Sequence, residues 1–274
     1  MRTDYFTNSR KDASLAGQRP SIAELREVSQ PLDHVGRASG EHWAGRLYIR
    51  RASIYFTWLI IPTRISPNGV TWIFIFTGVL GAAGLLIPGI IGAVVTVIMM
   101  QLQGLLDCSD GELARWRQQF SAAGIYLDRI GHTLTEAALP IFLGIRAGGG
   151  WGDFNGWTTL GCLLAVGHLI NRSETDLVHV ARGLSGLPKV ADSAAVAAPR
   201  AGVMRSLRSV LRFAPFFRAF VAIEFSLLAL AAAIVDAIAG SLIGTQVLVV
   251  VLLPVVALTA VGHLVAILNS NRLK

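Results

Sequence analysis

The residues able to do chemistry fall in one stretch of this 274-residue chain. It reads Leu106-Asp107-Cys108-Ser109-Asp110-Gly111-Glu112-Leu113-Ala114-Arg115, then Gly124-Ile125-Tyr126-Leu127-Asp128-Arg129-Ile130-Gly131-His132. Asp107 and Asp110 are three apart and share one face of a helix; Asp128 and His132 are four apart and share a face of the next. Gly111 and Ala114 are small on the Asp107 side, which lets a bulky group approach the backbone. Three carboxylates converging with one imidazole suit divalent cations bound through oxygen. Two such cations would neutralise a diphosphate and stabilise charge developing on a transferring phosphoryl group. The plainer alternative is that the aspartates pair with Arg115, Arg117 and Arg129 at an aqueous interface. For any single carboxylate that pairing is the better reading; for the whole spacing it is not.

These residues must be positioned by membrane helices. The chain is 53% hydrophobic and only 15% charged, with a mean hydropathy of +0.56. A typical soluble domain has about 25% charged residues. Disorder is excluded, and a water-soluble globule is disfavoured. Two cysteines exclude a disulfide framework. No Asp, Glu, Lys or Arg occurs in the 37 residues from Val70 to Leu106. That is too long for one span of ~20 residues and suits two, broken at Ile87-Pro88-Gly89. Further apolar runs cover Gly124–Gly144 (with Asp128, Arg129, His132 and Glu136 facing inward), Trp157–Asn171, Ala219–Val235 and Leu242–Leu268. None alternates with a period of two. The expected fold is therefore an all-α integral membrane protein of six transmembrane helices over residues 70–271. A polar tail at 1–41, flexible over its first 30 or so residues, and an amphipathic interfacial segment at 42–69 precede it. In that segment Trp43, Tyr48, Tyr55 and Trp58 interleave with Arg46, Arg50, Arg51 and Arg64.

With six spans both termini share one side. That side receives the basic N-terminal segment, Arg115, Arg117, a 172–218 loop with eight Lys/Arg, Arg272 and Lys274. The other receives only Pro88-Gly89, the Arg146–Asn155 turn and the Asp236–Ser241 turn. Lys/Arg asymmetry puts both termini in the cytoplasm. It also accounts for the formal net charge of +7 without nucleic acid as a partner. Arg205, Arg208 and Arg212 fall on one helical face and Met204, Leu207 and Leu211 on another, which reads as an interfacial helix against anionic headgroups. Residues 183–199 read as a flexible loop.

The spacing Asp107-x2-Asp110-Gly111-x2-Ala114-Arg115-x8-Gly124-x3-Asp128-x3-His132 resembles the signature of the CDP-alcohol phosphotransferase (CDP-alcohol phosphatidyltransferase) family. The likeness extends to Ser66-Pro67-Asn68-Gly69-Val70-Thr71, similar to the family's Pro-Asn segment opening the first span. It covers roughly residues 50–270. The resemblance implies six spans, a cytosol-facing site, a homodimer and a two-metal centre of magnesium or manganese. By position, Asp107, Asp110 and Asp128 would be metal ligands. Ser66, Pro67, Asn68, Gly69, Gly111, Arg115 and Ser121 would line the CDP part of the donor. The implied reaction is attack of an acceptor hydroxyl on the phosphoryl group of a CDP-alcohol, with CMP leaving. CDP-diacylglycerol is the expected donor, a soluble CDP-alcohol the alternative.

His132 departs from the pattern, which ends in aspartate. A neutral imidazole can take a proton from a hydroxyl, but it is a poorer ligand for magnesium than a carboxylate and suits manganese better. Three readings stay open. His132 is the base and a ligand in an active enzyme; Glu136, one turn on, supplies the missing carboxylate; or the second metal site is lost and the protein is inactive. A divalent-cation transporter is the competing class, though its carboxylates belong near mid-bilayer. His168, Asn171, Glu224 and His263 read either as pocket residues or as helix–helix hydrogen bonds. Arg172 reads as an interfacial charge, or as a grip on an acceptor phosphate. Cys108 and Cys162 read as small packing residues.

Overall fold

Apolar runs without a two-residue period have helices as their only way to satisfy the backbone, and helices are what the computed structural model contains. It describes residues 19–31, 43–152, 154–188, 219–270 and 272–273, and among these there is no strand. The helices are α1 (Ile22–Ser29), α2 (Arg50–Ile60), α3 (Pro67–Ala83), α4 (Gly89–Arg117), α5 (Ala122–Ala147), α6 (Gly156–Leu184), α7 (Ala222–Ala239) and α8 (Ile243–Leu268). A π-helical turn, Gly45–Ile49, leads into α2, and a 3-10 turn, Gly84–Leu86, closes α3.

Four helical segments are long and apolar enough to cross a membrane: Pro67–Leu86, Gly89–Arg117, Ala222–Ala239 and Ile243–Leu268. The break expected at Ile87-Pro88-Gly89 is where α3 gives way to α4, with Gly89 at φ +73°. The other two expected spans are helices of 26 and 29 residues, α5 and α6. Each carries four Asp, Glu or Arg residues.

Two expectations change. The first 30 or so residues are not wholly flexible, because α1 lies within them. Ser21 caps it by accepting from the Glu24 N–H, and Leu25 is fully buried. The expected loop at 172–218 begins as helix, because α6 runs on to Leu184. Its last turn is anchored by Arg182, whose guanidinium donates to the carbonyls of Pro188 (2.9 Å) and Arg272 (2.8 Å). The interfacial helix expected around Arg205, Arg208 and Arg212 lies outside the described residues, as does the loop beyond residue 188.

The chain divides into two compact units. The first holds α1, α2, the start of α3, the end of α4 and the start of α5; the second holds the remainder. In the second, Leu85, Met100, Leu139, Leu143, Leu164, Phe225, Val249 and Leu252 form a buried core, and α6 and α7 each pack on α8. The α5 and α6 backbones touch: a Cβ on Gly144 would lie 2.7 Å from the Gly161 Cα. Three turns meet at Arg146, which is buried. Its guanidinium donates to the carbonyls of Ile87 (3.3 Å) and Gly89 (3.0 Å) and lies 3.9 Å from Asp236. Asp236 in turn accepts from the Thr245 N–H and hydroxyl. These are the turns that the charge asymmetry assigns to one side.

Overpacking the α5–α6 crossing should cost about 1–3 kcal/mol. Gly144→Val is therefore expected to lower the thermal midpoint of the detergent-purified protein. Gly262→Ala, where nothing lies within 4 Å of the added Cβ, should leave it unchanged.

Candidate functional site

The site is built on the polar end of α4. That helix has 29 residues. At 1.5 Å per residue its uncharged part, Gly89–Leu106, spans roughly 27 Å, close to the ~30 Å of a bilayer core. The aspartates begin where that part ends.

Glu112 fixes this end. It is fully buried, and an isolated carboxylate in that position would be prohibitive. Three neutral donors meet it: Ser53 Oγ at 2.6 Å and Gln30 Nε2 at 2.7 Å on Oε1, and Thr57 Oγ1 at 2.7 Å on Oε2. Ser53 and Thr57 are one turn apart on α2, whose buried face also holds Ile54 and Ile60. Arg117 closes the same joint by donating to the carbonyls of Ile61, Thr63 and Ile65. Gln118, at φ 52°, then ends the helix.

On the other side of α4 stand the motif residues. Asp110 is buried and its Oδ2 accepts from Thr71 Oγ1 at 2.7 Å. Asp107 and Asp128 each offer a carboxylate oxygen, and these lie within 4.8 Å of one another. His132 follows Asp128 by one turn of α5, and it completes a group of three that could hold a metal ion. Of the four expected ligands, Asp110 is the one outside that group.

Two helix starts adjoin these carboxylates. Ser66 caps α3 by accepting from the Gly69 N–H (3.1 Å), and Ser121 caps α5 by accepting from the Gly124 N–H (2.9 Å). Asn68 Nδ2 donates to Ser121 Oγ at 3.4 Å. A Cβ on Gly124 would come 2.9 Å from Asn68 Oδ1, so a larger residue there would displace the Asn68 side chain. Unpaired N–H groups and the positive ends of two helix dipoles here favour an anion. Pro67 is the first residue of α3, where a missing N–H costs nothing. Gly111 leaves room beneath the Arg115 guanidinium, 3.3 Å from where its Cβ would stand.

The three arginines proposed as partners of the motif aspartates make these contacts. Arg115 donates to the Ser29 carbonyl, Arg117 to the three carbonyls above, and Arg129 to Asp176 in a solvent-exposed ion pair. Glu136 is also committed: its Oε2 accepts from His168 (3.1 Å) and Arg172 (2.6 Å). His168 stacks on Phe220, with ring centroids 5.3 Å apart. His263 sits 3.0 Å from Asn171 and 3.2 Å from Glu174. His168, Asn171 and His263 thus act as links between helices. Cys108 and Cys162 are free thiols.

Sequence reasoning missed Thr71 as part of the site, and Glu112 and Gln30 as the joint that supports it. Thr71 carried a signal, one turn after the Pro67-Asn68 pair. Glu112 carried one too, as the lone motif acid facing away from the aspartates.

Removing a donor from a buried carboxylate costs about 1–3 kcal/mol. Ser53→Ala and Thr57→Val should each lower the thermal midpoint, whereas Arg129→Ala, at an exposed pair, should not shift it measurably. No protein-family model matches this chain, and no curated protein matches it.

Proposed function

We propose that this protein is a membrane-embedded, metal-dependent CDP-alcohol phosphotransferase. The observation that carries this reading is the convergence of Asp107 and Asp128, from two different helices, beside the capped starts of α3 and α5. A transporter's carboxylates would stand mid-span; these stand at the end of an uncharged stretch. In this reading all six long helices, α3 to α8, cross the bilayer. The three turns gathered at Arg146 then lie outside, and both termini and the site lie in the cytoplasm.

Asp107, Asp128 and His132 fit a divalent cation by their chemistry, two hard oxygens and one imidazole, a set better matched to manganese than an all-oxygen site would be. Asp110, anchored by Thr71, is held one turn away for a second ion. Magnesium or manganese bound there would neutralise the donor diphosphate and stabilise charge on the transferring phosphoryl group.

The chain's own residues do the rest. Asn68 and the helix starts at Ser66 and Ser121 orient the donor's anionic part, and Gly111 lets it approach α4. A ring nitrogen of neutral His132 takes the acceptor hydroxyl's proton as its oxygen bonds to phosphorus. The phosphorus–oxygen bond to CMP breaks, and CMP leaves with that electron pair. With Glu136 held by His168 and Arg172, His132 is the base in this reading. The site opens at the membrane surface, which favours CDP-diacylglycerol over a soluble donor, and the protein acts as a homodimer.

The test is CMP release by purified protein given CDP-diacylglycerol, magnesium or manganese, and a panel of hydroxyl acceptors. Turnover should depend on metal and on one acceptor class, and a chelator should abolish it. Asp107→Asn and Asp128→Asn should each lower it roughly a hundredfold or more and weaken manganese binding. Turnover that survived either substitution would refute the metal assignment. A silent wild type with an active His132→Asp variant would mark the chain as an inactive relative.

A further inference from the structure

The C-terminus of α1 is stapled to α4 at two adjacent points. Gln30, the residue that ends α1, donates from Nε2 to Glu112 (2.7 Å) and to the Arg50 carbonyl (2.8 Å). Arg115 donates from Nε to the Ser29 carbonyl at 2.5 Å. The last carbonyls of a helix lack partners within it and lie at the negative end of its dipole, so a guanidinium is a fitting cap. The other end of the segment is held as well. Trp58 Nε1 donates to the Pro20 carbonyl at 2.7 Å, and the Arg19 guanidinium lies 4.7 Å above the Trp58 ring. Leu25, in between, is fully buried. An eight-residue helix would not persist alone in water; this one is held at both ends and at Leu25.

The seat has a consequence for Arg115. With Nε fixed by Ser29, the guanidinium lies over Gly111, where a Cβ would be 3.3 Å from Nη1 and 3.5 Å from Nη2. The Nη1–Nη2 edge is a fork that matches two phosphate oxygens. We infer that α1 is a positioning strap, which fixes the Arg115 fork over Gly111 so that affinity for the phosphate-bearing donor depends on the N-terminal segment. This rests on the phosphotransferase reading above. A side chain immobilised beforehand loses less freedom when its ligand arrives. The strap touches no reacting group, so it acts on donor binding and not on the chemical step.

The test uses the full-length protein with Gln30→Ala, which removes the Glu112 staple, and Leu25→Asp, which unseats α1. Donor KM should rise roughly five- to tenfold in both, with kcat and acceptor KM unchanged. Arginine modification by phenylglyoxal, mapped by mass spectrometry, should be faster at Arg115 in the variants than in wild type. If Leu25→Asp fails to fold, Gln30→Ala alone decides. An unchanged donor KM in an active Gln30→Ala variant overturns the strap while leaving the reaction class intact, as does a fall in kcat alone. A wild type that releases no CMP from any CDP-alcohol sinks the reaction class instead. In that case equal Arg115 modification rates overturn the strap, and a faster rate in the variants upholds it.

Discussion

The structure of the first unit depends on one buried carboxylate. Glu112 is fully buried, and its oxygens are met by two hydroxyls and an amide. Neutral donors satisfy it only if they come close from fixed directions. Ser53 and Thr57 therefore set the rotation of α2 against α4, and Gln30 sets the end of α1. At 3.6 residues per turn, positions two apart point about 200° from one another. With Glu112 turned into α2, Asp110 is turned to the opposite side, where Thr71 and the start of α3 receive it. The acid that does no chemistry thereby aims the acids that could.

Much of the architecture was legible because it follows from the cost of burying charge. The uncharged run from Val70, the Pro88-Gly89 break and the absence of two-residue alternation point to α3, α4 and helices throughout. What escaped was structure made by polar residues. Arg172, Glu174 and Asp176 read as loop by polarity, yet they are compatible with helix and α6 simply continues through them. The α1 segment reads as tail because an eight-residue helix has no stability of its own; its order comes from contacts with α2 and α4 that lie 20 to 86 residues away in sequence.

The site divides along the same line. Spacing on a helix placed Asp107 with Asp110, and Asp128 with His132, but could not say that Asp107 meets Asp128 while Asp110 turns to Thr71. Nor could spacing choose a partner for Glu136. Its position one turn past His132 makes it a candidate ligand on a helical wheel. The partners it has come from the neighbouring helix, His168 and Arg172. Ser66 and Ser121 show a different limit: both hold the roles of helix caps, and any contact with a ligand would be added to that role.

The unbroken course of α4 has a mechanical consequence. No glycine-proline break or π-turn interrupts it between Gly89 and Arg117, so the exposed apolar residues Ile91, Val94, Ile98 and Leu102 and the aspartates beyond them lie on one continuous helix. A bilayer thinner or thicker than the apolar stretch is accommodated by tilting or sliding such a rod, and either motion carries Asp107 and Asp110 along the membrane normal. In the proposed topology, membrane thickness thereby becomes a variable that sets how deep the acidic end sits among the headgroups.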